Sequence, residues 1–162
     1  MSHLAQRSAR ALLSDAQFND VRATILGNNP GMKPDLAADI LVDALAFLAA
    51  ATVSPVPLVP SRVVDEGWHA LILHTSLYQQ LAVSLGQFIH HVPERPDPEH
   101  RSEGARHRSI AAIEALGYEV HVDLWHGPTD TLISVAADCQ HSSEGPIVII
   151  PKPKGQMGRL RA

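Results

Sequence analysis

A chain of 162 residues, 45% hydrophobic and 19% charged, can bury one domain's core and is not a disordered or low-complexity polypeptide. Its net charge of −4 and pI near 6.2 argue against a general nucleic-acid binder, because such a protein needs a basic face. One cysteine, Cys139, excludes an internal disulfide framework.

The first seven residues carry no continuous apolar stretch, and the longest apolar run, Ala44 to Ala51, is short for a membrane span. The expectation is a soluble, cytoplasmic protein with no membrane partner. The basic group Arg101, Arg106, His107 and Arg108 reads as a solvated helix face.

In chain order, Ser14-Asp15-Ala16-Gln17 forms a capping box, and Phe18, Val21 and Ile25 follow at helical spacing until Gly27-Asn28-Asn29-Pro30-Gly31 stops the helix. A second helix is expected from Pro34-Asp35, with Asp35 as N-cap, to about Ala51. Its second half has almost no polar face and belongs in the core. Pro55, Pro57 and Pro60 make the next stretch an extended linker. Ser61 then caps one long helix ending before Gly86, and a fourth helix fits Ser102 to Leu116 with Gly117 beyond its end. Tyr118, Val120, Val122 and Leu124 alternate with polar residues as a strand would, and Gly145 to Pro151 is a second strand candidate.

The fold class expected is mainly α: a small domain of three or four helices packed around the Asp65 helix. A minor C-terminal β element completes it, near residues 118–124 and 146–150. Residues 1–151 form the single domain, and the basic tail 152–162 is expected to be disordered.

Ten histidines are roughly two to three times ordinary usage. Most fall between His69 and His126. At about 100° per residue, His69 lies about 40° from Asp65, on one stripe with Ile72 and Ser76. Val64, Leu71, Tyr78 and Leu85 form the main core stripe on the other side, and His74 lies at its edge as a core histidine. Leu73, Leu77 and Val83 lie outside the core stripe, so the helix is expected to be buried on most sides.

A buried ionisable pair is costly unless it is bonded or ligated. The Asp65/His69 stripe therefore has two readings. One is a structural hydrogen-bond network in a non-catalytic protein-interaction module. The other is a metal or acid–base site completed by His90 or His91, with Asp65, His69, His90 and His91 as candidate ligands. Adjacent residues of an extended chain point to opposite sides, so one of the two should enter. Two histidines and a carboxylate suit zinc, or non-haem iron with open positions. The partner under either reading is an unidentified small molecule or protein. Trp68 flanks the stripe as a core aromatic whose indole N–H needs an acceptor.

The same positions form a pattern: Val64-Asp65-x-x-Trp68-His69, then Thr75-x-x-Tyr78, then Phe88-x-His90-His91-x-Pro93. This resembles the glycine-rich domain-containing protein-like family, over residues 36 to 93 and more weakly as far as Trp125. The resemblance implies a shared helical core and polar cluster, and carries no reaction with it. Leu71 stands where members of that family commonly show a second histidine. Of their Gly- or Cys-rich tail only Asp138-Cys139-Gln140-His141 remains. There is no Gly-x-Ser-x-Gly elbow, and the Gly27–Gly31 stretch lacks the Lys-Ser/Thr end of a phosphate loop.

Overall fold

Ser14 opens the first regular helix of the computed structural model, which describes residues 6–93, 103–125 and 139–142. Its Oγ accepts from the Gln17 backbone N–H at 3.3 Å while the Gln17 side chain accepts from the Ser14 N–H at 3.0 Å, so the capping box is complete. Helix α1 (Asp15–Asn28) follows a short 3-10 turn, Ala9–Leu12, and buries Phe18, Val21 and Ile25.

Helix α2 (Pro34–Val53) has Pro34 at its first position, where the missing N–H is no loss. Lys33, rather than Asp35, is the N-cap residue. Asp35 sits inside the first turn, where its charge favours the helix N-terminus. By length and hydropathy α2 could cross a membrane, beyond what the Ala44–Ala51 run suggests. It packs instead against α1, α3, α5 and the first 3-10 turn, with residues 43–51 all buried. It is the central helix of the domain.

The segment after Ser61 is two helices, α3 (Arg62–Leu73) and α4 (Thr75–Leu85), parted at His74, whose ψ of 64° leaves the helical range. This break is why five helices form among the described residues where three or four are expected, around α2 rather than around the Asp65 helix. Its reason is packing. Trp68 and Tyr78 are ten residues apart, about 15 Å of rise in a straight helix, yet the Trp68 indole N–H donates to the Tyr78 hydroxyl at 2.9 Å. Only a bend brings them together. Beyond it the single-helix wheel fails, and Leu73 and Val83, expected to be buried, are 65% and 77% exposed. His74 is half-buried rather than a core residue, its Nε2 lying 2.8 Å from the Thr24 hydroxyl on α1.

Helices α2 and α3 cross at Gly67. A Cβ there would lie 2.8 Å from the Ala44 Cβ and 2.9 Å from the Ile40 carbonyl oxygen, so only glycine allows this approach. After α4, Gly86 turns the chain in a left-handed conformation into strand β1 (His90–Pro93), which pairs antiparallel with β2 (Cys139–Ser142).

Helix α5 (Glu103–Ala115) packs on α2. No strand forms over 118–124. Tyr118 makes one isolated bridge to Arg7, and Val122–Leu124 is a 3-10 turn. The alternation does not mark a buried face: Tyr118 and Leu124 are buried, but Val122 is exposed, and Trp125, out of phase with them, is buried against α2. The expected strand at 146–150 and the tail 152–162 lie outside the described residues.

Candidate metal centre

The start of α3 fixes the first ligand candidate. The Ser61 Oγ accepts from the Val64 N–H at 3.1 Å and donates to the Leu124 carbonyl at 2.6 Å, tying the helix start to the chain after α5. Asp65, in that first turn, is 1% exposed by side chain. One turn later His69 stands above it, with Nδ1 3.0 Å from the Asp65 backbone oxygen and 3.3 Å from Oδ2.

The second element arrives through Tyr78. Its hydroxyl, which accepts from Trp68, donates to the Ile89 carbonyl at 2.5 Å and so pins the residue just before the histidine pair. Strand β1 then carries His91 onto α3. The His91 Nε2 lies 3.2 Å from Asp65 Oδ1, and its ring meets His69 and Trp68 edge-on at centroid distances of 4.2 and 4.5 Å. His90, one residue back, packs on the Phe88 ring at 4.9 Å.

The structure thus brings Asp65, His69 and His91 together, with Trp68 and Tyr78 beside them, and leaves His90 out of the cluster. One ligand atom from each of the three lies within 4.8 Å of the other two, so the group could hold a metal ion. Donors around one ion at about 2.0–2.2 Å are at most about 4.4 Å apart, a small side-chain adjustment from this arrangement.

The electrostatics favour a charged cluster. Burial works against ionising Asp65, but hydrogen bonds and charge from His69 and His91 outweigh it and hold the carboxyl below its usual range. The bond to Asp65 lifts His69 above the ordinary imidazole value, against the opposing effect of its partial burial. Asp65 Oδ2 has no hydrogen-bond partner although His69 Nδ1 is close, because that nitrogen is better aligned with the backbone carbonyl at 3.0 Å. That oxygen still meets the His69 ring as a close ion-pair partner when the ring is protonated, without a well-aligned hydrogen bond. Of the three side chains His69 is the most open, at 34% exposed against 12% for His91.

Two further acids are buried nearby in sequence or space, and sequence reasoning passes over both. Glu66 accepts from the Asn29 side chain at 2.8 Å, joining α3 to the end of α1. Asp43, deep in α2, accepts from the His121 backbone N–H at 3.1 Å, the Trp125 indole N–H at 2.8 Å and the His121 ring Nδ1 at 2.7 Å. The signal was present: a lone Asp within the apolar run of α2 must find donors if the helix is central. Partial burial of the His121 ring opposes its protonation. The bond to Asp43 and the charges of Asp43, Asp39 and Glu119 outweigh this and raise it. With its oxygens already matched by donors, Asp43 reads as a latch for the 118–125 segment.

Fold and cluster define a small, mainly helical protein with an Asp–His–His group able to take a metal ion. The chain belongs to the UCP032817-like family, an uncharacterised one, whose model matches residues 9–112. This corrects the resemblance to the glycine-rich domain-containing protein-like family, which no finding indicates. That resemblance rested on a few positions between 36 and 93, whereas the family match takes in α1, α2 and most of α5. No curated protein and no solved structure matches the chain.

Proposed function

We propose that the protein binds a divalent transition-metal ion, zinc or iron, through Asp65, His69 and His91. The observation that carries this reading is the buried Asp65 carboxylate. Two imidazole nitrogens lie within 3.3 Å of it, and its almost fully enclosed Oδ2 lacks an aligned hydrogen bond. Without an ion, protons must bridge the cluster. With one, the rings act as neutral ligands and the carboxylate charge is matched by the metal. Histidine nitrogens with a single carboxylate oxygen suit zinc and iron rather than calcium or magnesium. The opening lies on the His69 side, where a small molecule or a partner's side chain would approach.

The second reading, a metal-free hydrogen-bond network in an interaction module, is favoured by the bonds of His69 to the Asp65 backbone and of His91 to Oδ1. Elemental analysis of the purified chain, with His69→Ala and Asp65→Asn beside it, separates the two. Stoichiometric zinc or iron, lost in both variants, is expected. Metal-free protein that takes up neither ion on reconstitution refutes the proposal.

A further inference from the structure

A cleft of about 330 Å³ opens between the segment 6–9, Val42 of α2 and the stretch after α5, where Glu119 and His121 line it. It shares no residue with the Asp65 cluster, and its volume is that of a small-molecule site. Two of its walls are fixed. His121 is held through its ring Nδ1, 2.7 Å from Asp43 Oδ1, and through its backbone N–H, which donates to Asp43 Oδ2 at 3.1 Å. The ring Nε2 lies 3.4 Å from Asp39 Oδ1, so a charge on this imidazole is already matched by two carboxylates. Arg7 is held by its backbone N–H, which donates to the Gly117 carbonyl at 2.8 Å. Its guanidinium lies over the Tyr118 ring, 4.9 Å from the centroid. Such stacking sets the plane of the guanidinium without using its N–H donors.

Arg7 and Glu119 are the charges left over. Neither has an ion-pair partner among the described residues, and they do not pair with each other although both line the cleft. A ligand with one charge answers one of them and is opposed by the other: a simple carboxylate meets Arg7 but also Glu119, and a simple amine the reverse. A molecule that carries both groups answers both. We infer that this cleft binds a small zwitterion of the α-amino-acid class, with its carboxylate on the Arg7 guanidinium and its ammonium on Glu119. The planar guanidinium suits a carboxylate, which can accept two parallel N–H bonds from it. Val42 and Ala9 line the same cleft and offer apolar contact to an aliphatic body. No bound metal is needed for this.

The test uses the full chain and the twenty standard amino acids, screened by shift in melting temperature and then titrated by calorimetry. At least one should bind with a Kd below about 1 mM. Its deaminated and decarboxylated analogues, each keeping one charge, should bind at least about tenfold more weakly. Arg7→Gln and Glu119→Gln should each weaken binding of the amino acid itself by at least about tenfold. Glu119 is exposed, so its variant should fold as the wild type does, checked by far-ultraviolet circular dichroism, and it decides the matter if Arg7→Gln is destabilised. His69→Ala should bind as the wild type does, because the two sites share no residue.

Failure of all twenty to bind at about 10 mM overturns the inference and leaves the metal-binding reading untouched. A deaminated analogue that binds as tightly as the amino acid makes the cleft an anion site and also overturns it. Binding that survives Glu119→Gln unchanged does the same. Binding that is lost in His69→Ala moves the ligand to the Asp65 cluster, which again refutes a site at Arg7 and Glu119.

Discussion

Replacing Tyr78 by Phe removes one oxygen and leaves two buried groups without partners. The Trp68 indole N–H loses its acceptor and the Ile89 carbonyl loses its donor, and Trp68 and Ile89 are almost wholly enclosed. An unmet buried donor or acceptor costs about 1–3 kcal/mol, so the variant should lose about 2–4 kcal/mol of stability. That is a large share of the roughly 5–15 kcal/mol that holds a domain of this size together. Urea unfolding of the metal-free protein measures it as a lower midpoint at an unchanged slope. Val83→Ala, at an exposed site on the same helix, should stay within about 0.5 kcal/mol.

The same residue gives a second signature. Burial, against the Trp68 bond that lowers it, pushes the Tyr78 hydroxyl up to about 12 from the ordinary 10. A folded-state value above the unfolded one means that the contribution is full below pH 10 and is lost as pH rises from there to about 12. The loss amounts to at most about 3 kcal/mol. Tyr78→Phe should lack this alkaline decline. A variant as stable as the wild type, or one that keeps the decline, refutes the hydrogen-bond chain from Trp68 through Tyr78 to Ile89.

Gly67→Ala should cost about 1–3 kcal/mol by forcing α2 and α3 apart, read as a lower melting temperature. Asp43→Ala strands the Trp125 indole and the His121 N–H, and should cost about 2–4 kcal/mol with a change in tryptophan fluorescence; a silent variant refutes the latch. Because His121 is raised above 6.5, its contribution should be full below that pH and fade as pH rises through its folded-state value. His121→Gln should flatten the stability profile in that window. Ser61→Ala should cost about 1 kcal/mol or more, since the hydroxyl both caps α3 and holds the Leu124 carbonyl.

Elements governed by local chemistry are legible in the sequence. The Ser14 capping box, the apolar half of α2 and the one-turn spacing of Asp65 and His69 all follow from neighbours in the chain. The break at His74 is not legible, because no glycine or proline marks it. It is imposed by a bond between Trp68 and Tyr78 that exists only once the chain has bent. The alternation at 118–124 misleads because apolar residues at every second position need not share a buried face: Val122 is exposed, while Trp125, out of phase with Tyr118 and Leu124, is buried. Of the site, the Asp65/His69 half is readable as helix geometry, and the extended-chain rule admits one of His90 and His91. Which of them enters depends on the turn at Gly86 and the hold on Ile89. The pairing of β1 with β2 joins segments about fifty residues apart, which the alternation of a single short strand does not reveal.

Asp65 and His69 belong to one helix of the core, while His91 arrives on a two-stranded ribbon whose partner strand comes from near the end of the described chain. The cluster therefore straddles two parts that can open separately. A fluctuation that parts the ribbon removes His91 while the helices stay folded, and such openings cost less free energy than global unfolding. Loss of His91 from the cluster should follow ribbon opening, and amide exchange in β1 should track it. Exchange in α2 would follow the slower opening of the whole domain.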